Sequence, residues 1–164
     1  MLLEDLELLY DAHASAAYAF ALRLSGSSHA AEDLVQHVFC ALAQKSPQHI
    51  PNPRSFLLRC LYRAWLDTLR RKQTERRLLS QLAQEPVIGP DETPADEAES
   101  LAILLKAVHE LPQEQRLVVH LKIWERQTFA EIGAILGISS NTAASRYRYA
   151  TEKLRLVARL QLNP

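Results

Sequence analysis

Thr128-Phe129-Ala130-Glu131-Ile132-Gly133-Ala134-Ile135-Leu136-Gly137-Ile138-Ser139-Ser140-Asn141-Thr142-Ala143-Ala144-Ser145-Arg146-Tyr147-Arg148-Tyr149-Ala150 is the stretch on which the fold turns. Thr128 and Glu131 have the spacing of a capping box, in which the Thr oxygen takes a first-turn amide and the Glu carboxylate reaches back to the Thr amide. Ala130, Ile132 and Ile135 supply the apolar side of a short helix. Gly137 falls where the chain must turn, in the left-handed conformation that suits glycine at a helix end. Ile138 then fills the angle between two helices, and Ser139 caps the second one. The apolar face of that second helix is Ala143, Tyr147, Ala150 and Leu154. Its outward face holds Asn141, Thr142, Ser145, Arg146, Arg148 and Tyr149.

A short helix, a tight glycine turn and a longer helix with a polar N-terminal half is the helix-turn-helix layout. Asn, Thr, Ser and Arg at the start of the second helix suit base edges and phosphates, and the small Ala144 permits close approach to a groove. Spacing alone leaves a second reading open: an αα-hairpin whose charged face is merely solvated.

Outward from this segment the chain reads as all-α, two small helical domains joined by a flexible acidic linker. Only four glycines occur in 164 residues, and good helix formers dominate. A helix is predicted over 2–25, with Leu6, Leu9, Tyr10, His13, Ala17, Phe20, Ala21 and Leu24 at helical spacing. Gly26 with Ser27 and Ser28 stops it, and Ser28 is expected to cap the next helix, which runs to about Lys45. Three prolines between Pro47 and Pro53 exclude helix there, and Asn52-Pro53 is a cap followed by Pro at the first helical position. The third helix is predicted over 53–83 with Phe56, Leu57, Cys60, Leu61, Ala64, Trp65 and Leu69 as core. Residues 85–97, rich in Pro and acid, read as linker, so the expected domains are 1–84 and 98–164. The second domain is expected to open with helices over 98–110 and 112–125, the latter carrying Leu117, Val118, Leu121 and Trp124.

Net charge is zero, but its distribution is uneven. Residues 1–77 hold ten Lys/Arg against eight Asp/Glu, 78–100 none against six, and 101–164 nine against five. Two basic flanks therefore surround an acidic middle. On the third helix Arg54, Arg59, Arg63, Arg70, Arg71, Lys72, Arg76 and Arg77 suit a phosphate backbone, though a solvated charged face is the commoner meaning of such a run. Tyr62 and Trp65 have the chemistry to stack on bases, with core packing preferred for Trp65. Cys40 and Cys60 lie in apolar helical patterns and read as two buried thiols of a reducing cytosol. His37, Cys40 and Cys60 lack the CxxC spacing of a zinc site, and no phosphate loop, nucleophile motif or carboxylate pair stands out. No metal, cofactor or catalysis is therefore expected. Met1 leads straight into an acidic amphipathic stretch, and no apolar run has membrane-spanning length. A cytoplasmic protein without leader or membrane contact is expected, with no extension after the last helix.

Several segments together resemble the extracytoplasmic-function (ECF) sigma factors of bacterial RNA polymerase. Leu111-Pro112-Gln113-Glu114-Gln115-Arg116, 128–132, 136–139, 141–150 and Glu152-Lys153-Leu154-Arg155 are similar to region 4 of that family. Independently, Ala31-Glu32-Asp33-Leu34-Val35-Gln36 with Val38-Phe39, Arg54-Ser55-Phe56-Leu57 and Leu66-Asp67-Thr68-Leu69-Arg70-Arg71 resemble region 2. His37 stands where the family often has an acid, and Arg63 where it often has Asn.

The resemblance implies a non-enzymatic specificity subunit with core RNA polymerase and promoter DNA as partners, and it admits an anti-sigma factor. Asp33, Gln36 and Phe39 would bind polymerase, although Phe39 reads equally well as core. Loop 46–53, with Gln48, His49 and Asn52, would meet the melted promoter, and Arg54, Arg59, Arg63, Arg70 and Arg71 its phosphates. The helix bearing Asn141, Thr142, Ser145, Arg146, Arg148 and Tyr149 would read upstream duplex. A stand-alone helix-turn-helix regulator and a helical protein-interaction module are the rival readings.

Overall fold

The computed structural model describes residues 3–45, 50–79 and 99–162. Within them the chain forms seven helices and no strand. They are α1 (Leu3–Ser25), α2 (Ser28–Lys45), α3 (Pro53–Leu79), α4 (Glu99–Glu110), α5 (Gln113–Ile123), α6 (Phe129–Leu136) and α7 (Ser140–Leu162). The first three form one compact unit and the last four a second. The expected linker, residues 80–83 of the expected third helix, and Gln48 and His49 lie outside the described residues.

In the first unit all three helices pack on one another. Leu9, Ala17, Phe20, Ala21 and Leu24 of α1 meet Ala31, Leu34, Val38, Phe39 and Leu42 of α2, and Leu57, Leu58 and Leu61 of α3 close the core. Each large aliphatic side chain buried this way contributes about 1.5–3 kcal/mol. Gly26, with φ +72°, takes the left-handed turn that ends α1, and its amide closes on the Leu22 carbonyl at 2.8 Å.

The cap of α2 is Ser27 and not Ser28. The Ala30 amide donates to Ser27 Oγ at 3.5 Å and the Ala31 amide to the Ser27 carbonyl at 2.9 Å, so Ser28 is already helical. Asn52 caps α3 as expected: its Oδ1 accepts from the Ser55 amide at 3.0 Å. Two expected core positions lie outside: Tyr10 is exposed but meets the Phe39 ring edge-on at 5.0 Å, and Leu69 is exposed beyond the packed part of α3. Cys40 is exposed and Cys60 half-buried, so the thiols are not a buried pair. Cys40 follows Asp33, Gln36 and His37 along the exposed side of α2, seven residues from Asp33 and therefore on its stripe.

In the second unit α7 packs against α4, α5 and α6. Leu111, Val119 and Ala150 form one cluster, with Tyr147 and Leu154 packed onto it. Of the four apolar residues expected on α5, Leu117, Val118 and Leu121 are buried and Trp124 is not. Trp124 is 43% exposed, lying flat against His120, while Val119 and His120 are buried. The reason is that α5 ends at Ile123 and the chain folds back at once. Arg126 takes a left-handed φ of +53°, and the Gln127 amide closes on the Leu121 carbonyl at 2.9 Å. Trp124 is thereby the helix cap, and its ring lies on His120 at the surface and not in the core. Ala130 is likewise exposed, leaving Ile132, Ile135 and Leu136 to bury α6.

Candidate nucleic-acid interface

The helix-turn-helix is assembled from local hydrogen bonds before any tertiary packing is considered. Thr128 Oγ1 accepts from the Glu131 amide at 3.2 Å, and the Thr128 amide donates to Glu131 Oε2 at 2.7 Å, completing the capping box. Gly137 ends α6 with φ +70°. The Ile138 amide then donates to the Gly133 carbonyl at 3.0 Å, drawing the turn tightly over α6. A Cβ on Gly133 would lie 2.7 Å from the Ile138 carbonyl oxygen, so this glycine is required by contact with the turn and not by its own φ. Ser139 Oγ accepts from the Thr142 amide at 3.0 Å and starts α7.

The α7 side chains divide by helical phase. Ala143 and Ala150 are fully buried and Tyr147 half-buried, its ring 5.7 Å from that of Phe129. Asn141, Thr142, Arg148 and Tyr149 are exposed, and Ser145 is half-buried beside them. Arg148 lies over the Tyr149 ring at 5.3 Å, making a flat cationic and aromatic surface.

Arg146 departs from the expected outward face. It stands three residues from Ala143 and four from Ala150, at the flank of the buried stripe. Its side chain is only 27% exposed, and its Nη2 meets Glu114 Oε2 of α5 at 2.6 Å. Seven residues on, Lys153 Nζ donates to Gln115 Oε1 at 3.2 Å. The first turn of α5 is thus tied to two cations of α7, a connection across more than thirty residues that no local pattern in the sequence announces.

In the first unit Arg59, Arg63 and Arg70 fall at i, i+4 and i+11 on α3, on one side of the helix and opposite buried Leu57 and Leu61. Arg63 is exposed, Arg59 lies 5.8 Å from the Phe56 ring centre, and Arg70 meets Asp67 at 3.2 Å in a solvent-exposed pair. Arg71 is exposed but turned about a quarter of the way round, and half-buried Arg54 lies on the core side at the start of α3. Among the described side chains, Arg59, Arg63 and Arg70 therefore share one stripe, with Arg71 and Arg54 off it. Tyr62 and Trp65 are half-buried with rings 5.8 Å apart. On α2, Asp33 and Gln36 are exposed, and His29 Nε2 lies 3.6 Å from Asp33 Oδ2. Phe39 is only 8% exposed and packs in the core of the first unit.

A three-helix unit with a cationic stripe and a four-helix unit carrying a helix-turn-helix with an exposed polar N-terminal half define a nucleic-acid-binding protein of two modules. Sequence comparison gives the family. The chain matches the family model Sigma-70 region 2 over residues 9–75 and that of Sigma-70, region 4 over residues 107–156. It is 33% identical over 149 residues to the ECF RNA polymerase sigma factor SigE of Mycolicibacterium smegmatis, an alignment covering 87% of this chain and 57% of SigE. It is 30% identical over 159 residues to the ECF RNA polymerase sigma factor SigL of Mycobacterium tuberculosis, covering 90% of this chain and 85% of SigL.

The chain belongs to the ECF RNA polymerase sigma factors. Promoter-specific initiation of transcription by RNA polymerase is the function of that family, and two region matches in order disfavour a stand-alone regulator. Among solved structures, sigma factor RpoE of Bartonella quintana, crystallised with the anti-sigma factor NepR, has the same fold. Its TM-score is 0.72 at 23% identity, over 97% of this chain and 99% of that one. Among the described residues no helix is long and apolar enough to cross a membrane.

Proposed function

We propose that the chain works by bridging core RNA polymerase and promoter DNA, with the work divided between its two units near the boundaries expected from the sequence, 1–84 and 98–164. The first unit presents Asp33 and Gln36 of α2 to core polymerase and the Arg59–Arg63–Arg70 stripe of α3 to promoter phosphates. The second lays the N-terminal half of α7 in the major groove of upstream duplex. There Asn141, Thr142, Ser145, Arg148 and Tyr149 meet bases and phosphates, and Arg146 acts from the flank. Arg54 and Arg71 add charge at the two ends of the α3 contact. The observation that carries this reading is the exposed polar face of α7, held off its own core by Ala143 and Ala150, in a chain that also matches region 2.

Each contact is modest alone. Tethering converts the second into an intramolecular event, so the holoenzyme holds promoters that the free chain does not. The role is non-catalytic and is exercised where the polymerase is, in the cytoplasm. The complex of RpoE with NepR supports an anti-sigma protein as a further partner for this chain. The test is initiation in vitro by purified chain and core polymerase on a pool of promoter fragments. Starts at a shared pair of sequence elements are expected. Starts no more frequent than with active core alone would refute the reading.

A further inference from the structure

The pair between Glu114 and Arg146 has the geometry of a device for selectivity. An arginine in the second turn of a recognition helix, if left free, reaches any phosphate within the sweep of its long side chain and adds affinity without discrimination. Here Glu114 takes Nη2 at 2.6 Å. A guanidinium carries five donors in a rigid fork, so the others keep fixed directions while one is held. Glu114 sits in the first turn of α5, where an acid suits the helix dipole, and Gln115 beside it accepts from Lys153. Glu114 is 69% exposed and Arg146 27%, so the pair lies at the surface where α5 meets α7.

We propose that Glu114 is a specificity-determining positioning residue: it holds the Arg146 guanidinium in one pose beside the reading face of α7 and offsets its charge, so that Arg146 contributes only at promoters offering an acceptor along its remaining donors. This rests on the sigma-factor reading above. The carboxylate touches no DNA in this account. It acts through Arg146, by restricting rotamers before binding and by penalising phosphates that do not fit.

The experiment compares the full chain with Glu114→Gln, Arg146→Ala and the double variant, each with core polymerase, on a promoter pool randomised across the upstream element. Transcript starts are sequenced at two salt concentrations, and thermal unfolding is recorded for each chain. Gln keeps the length of Glu and an acceptor oxygen, so folding is expected to persist. Glu114→Gln should lower the preference for favoured over disfavoured bases by about threefold to tenfold at one or two adjacent positions. Its initiation should also depend more steeply on salt, by roughly one ion. In the Arg146→Ala background the same change should alter neither quantity. Unchanged preferences, a uniform loss across all promoters, or an equal loss in the Arg146→Ala background would each overturn the inference while leaving the sigma-factor reading intact. Failure of the unsubstituted chain to initiate with active core would instead remove the reading on which it rests.

Discussion

Replacing Gly133 by Ala probes the joint on which α7 depends. The added Cβ would stand 2.7 Å from the Ile138 carbonyl oxygen, 3.3 Å from the Ser140 nitrogen and 3.4 Å from the Ser139 carbonyl carbon. All three are backbone atoms, so no side chain can swing aside, and the turn must open by several tenths of an ångström. Overpacking of this kind costs about 1–3 kcal/mol. Opening the turn also strains the 3.0 Å bond from the Ile138 amide to the Gly133 carbonyl, worth about 1 kcal/mol. Ala recovers about 1 kcal/mol of helix propensity inside α6. The net expectation is a loss of about 1–3 kcal/mol, at about 4–8 °C per kcal/mol for a domain of this size.

The assay is thermal unfolding followed by Trp124 fluorescence in a Trp65→Phe background, which confines the signal to the second unit. Gly137→Ala is the companion measurement. Its φ of +70° makes Ala cost about 1 kcal/mol, but nothing lies within 4 Å, so α7 stays where it is. Below both melting points, Gly133→Ala should reduce promoter-specific initiation while Gly137→Ala retains it. A Gly133→Ala chain as stable as the parent would refute the claim that contact with the turn requires this glycine.

Thr128→Ala removes one half of the capping box and should destabilise the second unit by about 1 kcal/mol, read as a lower denaturant midpoint at unchanged slope. Phe39→Ala should cost the first unit about 3–5 kcal/mol, whereas Asp33→Ala with Gln36→Ala should leave its unfolding within about 0.5 kcal/mol and weaken co-elution with core polymerase. Arg63→Ala should lower promoter affinity of the holoenzyme evenly across sequences and reduce the slope of log affinity against log salt by about one, measured by filter binding.

The parts of this fold that were legible in the sequence are those written locally. The capping box at Thr128, the turn at Gly137 and the Asn52-Pro53 start of α3 each depend on residues within four positions of one another. Their geometry follows from side-chain chemistry alone. Burial was less legible, because a period of 3.6 leaves flanking positions undecided. Phe39 follows Val38 on the core side of α2 and is buried, while Cys40, next in line, falls on the stripe of Asp33, Gln36 and His37. That stripe was available from spacing, and reading Cys40 by its apolar neighbours obscured it. Trp124 misled for another reason. The turn after α5 uses a left-handed Arg126 where a glycine would have announced it, so the helix was expected to run two residues further, to 125. The contact of Glu114 with Arg146 lay beyond sequence reasoning altogether, since it is made only when α5 and α7 have packed.

The central claim is that the two units hold separate parts of a promoter while the first is docked on polymerase. Hydroxyl-radical footprinting tests it most directly, on a fragment recovered from the initiation pool, with chain alone, core alone and both together. Two protected patches, one at melted DNA near the start and one on upstream duplex, are expected only when chain and core are combined. Full protection of the upstream duplex by the chain alone, unchanged when core is added, would contradict the account.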